Sequence, residues 1–155
     1  VKLVIAPHVI DENHLVEIIR KLKRPYVRYT RADEKNVRKA DCLIIDCFGL
    51  LSSIYRYGEI AYIGGGFGVG IHNTLEAAVY GIPVIFGPKY QKFQEAIQLL
   101  EAKGAFSVKD YEELKTLLDR MLTDEVFLRE SGMNASNYVT GNAGATDKIM
   151  SMINF

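Results

Sequence analysis

Residues Ile60–Val84 read IAYIGGGFGVGIHNTLEAAVYGIPV. Ile60–Ile63 is a short apolar run that ends in glycine. Five of the chain's thirteen glycines then fall within Gly64–Gly70. A helical pattern over Thr74–Tyr80 follows, Gly81 closes it, and Pro83–Phe86 (PVIF) starts a new apolar run. A strand, a glycine loop, a helix and a second strand in this order make a βαβ unit, whose crossover joins parallel strands.

Moving outward, the same alternation recurs. Lys2–Ala6, Tyr26–Thr30 and Cys42–Ile45 read as three earlier strands. Asp11–Leu22 sets Leu15, Ile18, Ile19 and Leu22 at helical spacing, with its acids first and its bases last, as the helix dipole favours. Arg31–Lys39 reads as a solvated, charge-rich face. Downstream, helices are expected over Gln91–Lys103, stopped by Gly104, and over Tyr111–Leu122 behind an Asp110 cap. Two more are expected over Asp124–Tyr138 and Ala145–Ile153. Continuously apolar strands imply a sheet covered on both sides. The fold class is therefore α/β: a Rossmann-like parallel sheet with helices on both faces and right-handed crossovers. At 155 residues, the whole of 1–155 is expected to form a single domain.

Composition narrows the function. Nineteen basic and nineteen acidic side chains cancel, so no bulk positive field calls for nucleic acid. No apolar run reaches the ~18 residues of a membrane span. A secretory leader is not expected from the opening residues. Cys42 and Cys47 lack CxxC spacing, and their odd separation puts them on opposite faces of a strand, so a reducing compartment fits. Three scattered histidines without clustered carboxylates give no zinc pattern, and no metal or cofactor is expected. His14 belongs to the surface of the first helix. The chain opens on Val1 directly before an apolar strand, which predicts a domain cut from a longer protein.

In open α/β sheets, ligands bind beyond the carboxyl ends of the strands. That rule selects Pro7-His8, Asp46–Gly49, Gly64–Asn73 and Gly87–Lys92. The glycine loop leads into a helix start, where free amides favour an anion. It is neither a P-loop, because Ile71-His72 stands where Lys-Ser/Thr is needed, nor a GxGxxG dinucleotide fingerprint. A plain tight turn is the competing reading. Asn73 and Glu76 have capping-box spacing. They are also placed to serve a ligand, with Asn73 and the amides of Thr74 and Leu75 toward a phosphate and Glu76 toward ribose hydroxyls. His72 either donates to a phosphate or packs at the helix start. Lys89 and Lys92 near a helix start oppose its dipole, so they suit either an anionic ligand or a solvated surface. Asp46 is expected to orient the loop after its strand or to cap the next helix. Phe48 either flanks a base or joins the core.

These motifs together resemble the 3-deoxy-D-manno-octulosonic acid (Kdo) transferases over about residues 1–105. The matching pieces are Ala6-Pro7, Asp46–Leu50 (DCFGL), Gly64-Gly65, Gly70–Glu76 (GIHNTLE), Gly81–Val84 (GIPV), and Gly87-Pro88 with Phe93. The resemblance implies the carboxyl-terminal half of a GT-B-type glycosyltransferase, with the amino-terminal acceptor domain absent. It implies an inverting, metal-free transfer of Kdo from CMP-Kdo to lipid A precursor in lipopolysaccharide biosynthesis. Carried over, the CMP contacts are Pro7, His8, Phe48, Gly49, Leu50, Asn73, Thr74, Leu75 and Glu76, with phosphate or sugar contacts at Gly70, His72, Lys89 and Lys92. No residue here is the general base, which the family keeps in the absent domain. The family often has Arg where His8 stands and Glu where Leu50 stands, and Ile71 replaces one of its glycines. The implied location is the cytoplasmic face of the bacterial inner membrane, with membrane association only through the missing domain. Alternatives that remain open are a UDP-sugar GT-B domain, a non-catalytic nucleotide-sensing domain and a flavodoxin-like interaction domain.

Overall fold

The computed structural model describes residues 2–68, 70–144 and 150–152. The chain forms two compact units, Val1–Ile54 and Tyr55–Phe155. Both are α/β, with parallel strands alternating with helices, as the sequence leads one to expect.

The first unit runs β1 (Leu3–Ile5), α1 (Glu12–Lys21), β2 (Tyr26–Arg28), α2 (Glu34–Lys39), β3 (Cys42–Ile44) and α3 (Leu51–Ile54). Its three strands lie in the order β1-β3-β2, all parallel, with Ile5 and Arg28 both in register with Ile44. The apolar stripe of α1 covers one face. Leu15 is buried against Cys42 and Ile44, with Ile5, Ile18, Ile19 and Leu22 around them. Burying one such leucine is worth about 2 kcal/mol. Asp11 starts the helix by accepting the His14 amide at 2.9 Å. Strand β1 ends the order of this sheet. Its Leu3 and Val4 are exposed. The stretch read only as a solvated face contains α2, built on a capping box. Asp33 accepts the Lys35 and Asn36 amides, and Asn36 accepts the Asp33 amide in return.

Asp46, just beyond β3, has a side chain only 1% exposed. It accepts Arg28 Nε at 2.8 Å, the Thr30 amide at 2.9 Å and the Thr30 hydroxyl at 2.6 Å. It therefore ties β3 to the end of β2 rather than capping the next helix. Burial pushes its carboxyl up, but the Thr30 hydroxyl and amide and the Arg28 guanidinium outweigh that and hold it at about 2. A folded value below the ordinary 3.8 means this group stabilises the fold fully above pH 4. The contribution drains away as pH falls through 4 toward 2. A shift of that size corresponds to roughly 2 kcal/mol. Acid titration of stability by urea melts is expected to show that loss, and Asp46→Asn is expected to flatten it. Equal slopes in the two proteins would count against the assignment.

The second unit runs β4 (Ala61–Tyr62), α4 (Leu75–Ala78), β5 (Val84–Phe86), α5 (Gln94–Glu101), β6 (Ala105–Ser107), α6 (Tyr111–Thr123) and α7 (Glu125–Gly141). Its strands are parallel in the order β4-β5-β6. The central β5 is wholly buried. Phe86 and Val84 pack with Ala77, Ala78, Ala96, Leu99 and Ala135, while Ile85 packs with Val108 and Met121. Strand β6 is an addition to the expected set. Its three residues sit between Gly104 and Val108, too short a run to stand out. Two helices are shorter than their patterns: α4 stops at Ala78, and α5 begins at Gln94, after a turn closed by Phe93 N to Tyr90 O. The expected helix over Ala145–Ile153 lies mostly outside the described residues. No helix among the described residues is long and apolar enough to cross a membrane.

The small residues of α7 have a packing reason. A Cβ on Gly132 would stand 2.3 Å from the Gly81 carbonyl oxygen, and one on Gly104 would stand 2.6 Å from Ala135 Cα. The helix therefore lies directly on main chain at two points.

Candidate nucleotide-binding site

In the first unit, the segments after β1 and β3 leave the same edge of the sheet side by side, because those strands are parallel neighbours. Pro7 is half-buried and His8 exposed. Phe48 is 82% exposed, which removes its core reading. Gly49 follows with φ +86°, a left-handed conformation that a side chain resists. Leu50 is half-buried, and its carbonyl accepts the amides of Ser53 and Ile54 and the Ser53 hydroxyl, which opens α3.

In the second unit, the corresponding segments follow β4 and β5, again parallel neighbours. The glycine loop is a closed main-chain loop, not a slack one. Gly65 bridges Ile71 in antiparallel fashion, Gly66 N donates to Gly70 O at 2.8 Å, and His72 N donates to Gly64 O. Gly66 O in turn accepts the Lys89 amide at 2.8 Å, which fastens the loop to the segment after β5. Three glycines are fixed by contact. A Cβ would meet Gly70 O at 2.0 Å from Gly65, Gly87 Cα at 2.8 Å from Gly66, and the Phe93 ring at 3.0 Å from Gly70. The tight-turn reading is thus right for part of the cluster. Gly68 differs, since a Cβ there would meet nothing.

The loop frames a recess of about 440 Å3 lined by Gly65, Gly68, Gly70, Ile71, His72 and Phe93. Among the described residues, the amides of Gly68, Gly70 and Ile71 have no backbone acceptor. Such an array of free N–H groups beside glycines suits an anion. Another hollow of about 440 Å3 runs along β6 and α6. Phe106, Val108 and Leu117 line it together with Glu112, Glu113 and Arg120, so two carboxylates stand against one guanidinium there. The glycine recess is the better anion site.

Beyond the loop, Asn73 and Glu76 act on each other through their side chains. Asn73 Oδ1 accepts the Leu75 amide at 3.0 Å, and Asn73 Nδ2 donates to Glu76 Oε1 at 3.0 Å. This differs from a reciprocal capping box. The Leu75 amide is occupied, the Thr74 amide keeps no acceptor among the described residues, and Glu76 retains its second oxygen for a donor. Glu76 also lies near Tyr55, whose hydroxyl is pushed up by burial and then by that carboxylate. The Thr74 hydroxyl is buried with no hydrogen-bond partner among the described residues, and the residue is 1% exposed. An orphaned buried hydroxyl costs roughly 1–3 kcal/mol. Lys89 and Lys92 are exposed, and neither has a carboxylate within ion-pair distance among the described residues. Among those residues no group of His, Cys, Asp and Glu could hold a metal ion.

Sequence reasoning missed three residues of the first unit: Glu12, Arg28 and Thr30, which converge with Asp46 at the carboxyl edge. No local signal marks them, because the partners lie far apart in the chain.

Comparison with known proteins adds an independent line. No family model matches the chain. The 3-deoxy-D-manno-octulosonic acid transferase of Aquifex aeolicus (strain VF5) is 37% identical over 124 residues, covering 79% of this chain and 34% of that protein. The enzyme of the same name from Rickettsia bellii (strain RML369-C) is 32% identical over 116 residues, covering 73% of this chain and 28% of that protein. The chain thus spans about a third of the length of the curated relatives it matches. In fold it is similar to the crystal structure of the C-terminal CMP-Kdo binding domain of WaaA from Acinetobacter baumannii. The TM-score is 0.75 at 18% identity, over 88% of this chain and 72% of that one.

Proposed function

We propose, from the premise that this chain is a relative of the 3-deoxy-D-manno-octulosonic acid transferases, that residues 1–155 act as one donor-binding domain for CMP-Kdo. The whole protein would be a glycosyltransferase that moves Kdo to lipid A precursor at the cytoplasmic face of the inner membrane. Its general base and its membrane contact would be supplied by a domain preceding this one. The observation that supports the reading is the glycine recess at the carboxyl edge of β4 and β5, where the amides of Gly68, Gly70 and Ile71 have no backbone acceptor among the described residues.

Transfer breaks the bond between the sugar and the CMP phosphate, and negative charge grows on the departing cytidylate. Fixed N–H dipoles aimed at that charge stabilise it more in the transition state than in the ground state. Because the loop is stitched to itself and to Lys89, its dipoles need no reorganisation when the charge appears. In the proposed site Glu76, oriented by Asn73, receives ribose hydroxyls. Lys89 and Lys92 face the sugar carboxylate, and Phe48 flanks the cytosine. His8 stands where the family often has Arg. The remaining contacts are Pro7, Gly49, Leu50, Thr74 and Leu75, with Gly70 and His72 at the phosphate.

Differential scanning with CMP, UMP, AMP and CMP-Kdo tests the reading. CMP at 100 times its dissociation constant is expected to add about 2.7 kcal/mol, with UMP and AMP far weaker. An equal response to UMP would move the assignment to a uridine-linked donor. No response to any nucleotide would remove it.

A further inference from the structure

The chain is neutral as a whole, but its charge is unevenly placed. Val1–Ile54 carries ten basic and seven acidic side chains. The connections sort these further. Strands β1, β2 and β3 are parallel, so α1 ends where β2 begins and α2 ends where β3 begins. Both helices therefore bring their last turns to the entry edge of this sheet, opposite the edge with the candidate contacts. Arg20 and Lys21 close α1, and Arg38 and Lys39 close α2. Lys23 and Arg24 lead into β2, and Lys2 leads into β1. All seven are exposed.

One acid stands among them. Asp41, just before β3, pairs with Lys2 at 2.9 Å. Its carboxyl is held below the ordinary range by that hydrogen bond and charge and, in smaller part, by Arg24, which therefore lies close by. The unit's other acids are elsewhere. Asp11, Glu12, Asp33 and Glu34 start the helices and Asp46 follows β3, all at the far edge, while Glu17 lies midway along α1. Among the described residues, the six cations other than Lys2 have no carboxylate within ion-pair distance. The helix dipole accounts for cations in the last turns of α1 and α2. It does not account for Lys2, Lys23 and Arg24, which sit on strand-entry segments.

The register puts Leu3, Tyr26 and Cys42 in one row across the sheet, so Lys2, Pro25 and Asp41 form the row before it. Three strands span about 10 Å. The cations thus gather at one level along an end-on edge, an arrangement that matches a flat anionic surface. Tyr26 opens β2 in their midst and is 43% exposed. Its ring has an apolar body and a polar tip, as suits a headgroup layer. We propose that this edge docks on a bilayer rich in anionic phospholipid, as a second contact beside the one assigned to the preceding domain. Long lysine and arginine stems let the charges reach the headgroups, at about fivefold in affinity per cation. The proposal does not depend on which nucleotide the opposite edge takes.

Co-sedimentation of the 155-residue chain with lipid vesicles is the test. Wild type is expected to bind vesicles containing phosphatidylglycerol and to ignore pure phosphatidylcholine, with binding that falls as salt is raised. Two double variants, Lys23→Gln with Arg24→Gln and Arg38→Gln with Lys39→Gln, are each expected to weaken binding roughly twentyfold. Lys109→Gln with Lys115→Gln removes as many positive charges from the second unit and is expected to change nothing. All six positions are exposed, and thermal melts verify that each variant folds. No binding of wild type to the anionic vesicles would overturn the proposal. So would an equal loss in the second-unit control, which would make net charge the cause. Capture of duplex DNA without capture of vesicles would overturn it as well and give the edge to nucleic acid. A chain that binds the vesicles but no CMP would sink the functional reading and leave this one standing.

Discussion

Gly65→Ala is expected to abolish the thermal response to CMP and to lower stability by about 3 kcal/mol. Gly65 sits at φ +89°, where an L side chain costs roughly 1–2 kcal/mol. Its Cβ would stand 2.0 Å from the Gly70 carbonyl oxygen and 3.1 Å from the Gly70 carbonyl carbon. Both are main-chain atoms, so no rotamer change relieves the clash. The bridge to Ile71 must open, and with it go the bonds from Gly66 to Gly70 and from His72 to Gly64. Each lost bond costs about 1 kcal/mol, and the recess loses the geometry that aims its amides. Gly68→Ala is the control, since its Cβ meets nothing within 4 Å. It is expected to unfold like wild type. Urea melts and scanning with CMP check both. A Gly65→Ala protein with full stability and full CMP response would show that the loop is not the cradle described.

Gly132→Ala is expected to destabilise by about 3 kcal/mol, against the sign that helix propensity gives. In an exposed helix, glycine to alanine gains about 1 kcal/mol. Here the new methyl would stand 2.3 Å from Gly81 O and 3.2 Å from Gly81 C. Gly81 cannot easily yield, because its own φ of +70° belongs to the turn that closes α4 before β5. Relief would require α7 to lift, opening the contact of Ala135 with Ala77, Ala78 and Leu99. Gly141→Ala, at the end of the same helix and with nothing within 4 Å, should change little. Thermal or urea unfolding distinguishes the two, and a stabilised Gly132→Ala would refute the close approach of α7 to that turn.

The fold class was legible because its signal is local. Short apolar strands, helical spacing and glycine punctuation all lie within single segments, and five of the six strands could be read from them. What escaped is equally physical. Strand β6 is Ala105–Ser107, and Ser107 at its end hides the apolar run. The cap of α2 rests on Asp33 and Asn36, a pair embedded in the charge-rich run Arg31–Lys39 whose composition alone reads as a solvated face. The glycine loop was found, but its stitching to Lys89 and its folding onto Gly87 were not, since both depend on where β5 delivers the chain. Asp46 was singled out correctly as structural, yet its partners Arg28 and Thr30 lie on the neighbouring strand and beyond it, where no sequence spacing announces them. The resemblance to the Kdo transferases reached the relatives that the comparisons found.

Every named strand pairing in both units is parallel, and this bears on how the polypeptide reaches its final form. No tight hairpin can zip up early to seed either sheet. Each pair must wait for an intervening crossover to close, with its entropy loss met before any interstrand contact is made. The adjacent pair α6 and α7, by contrast, needs only short-range closure. The expected order on the folding path is therefore that carboxyl-terminal helical pair first, with the strands assembling later as the slow step.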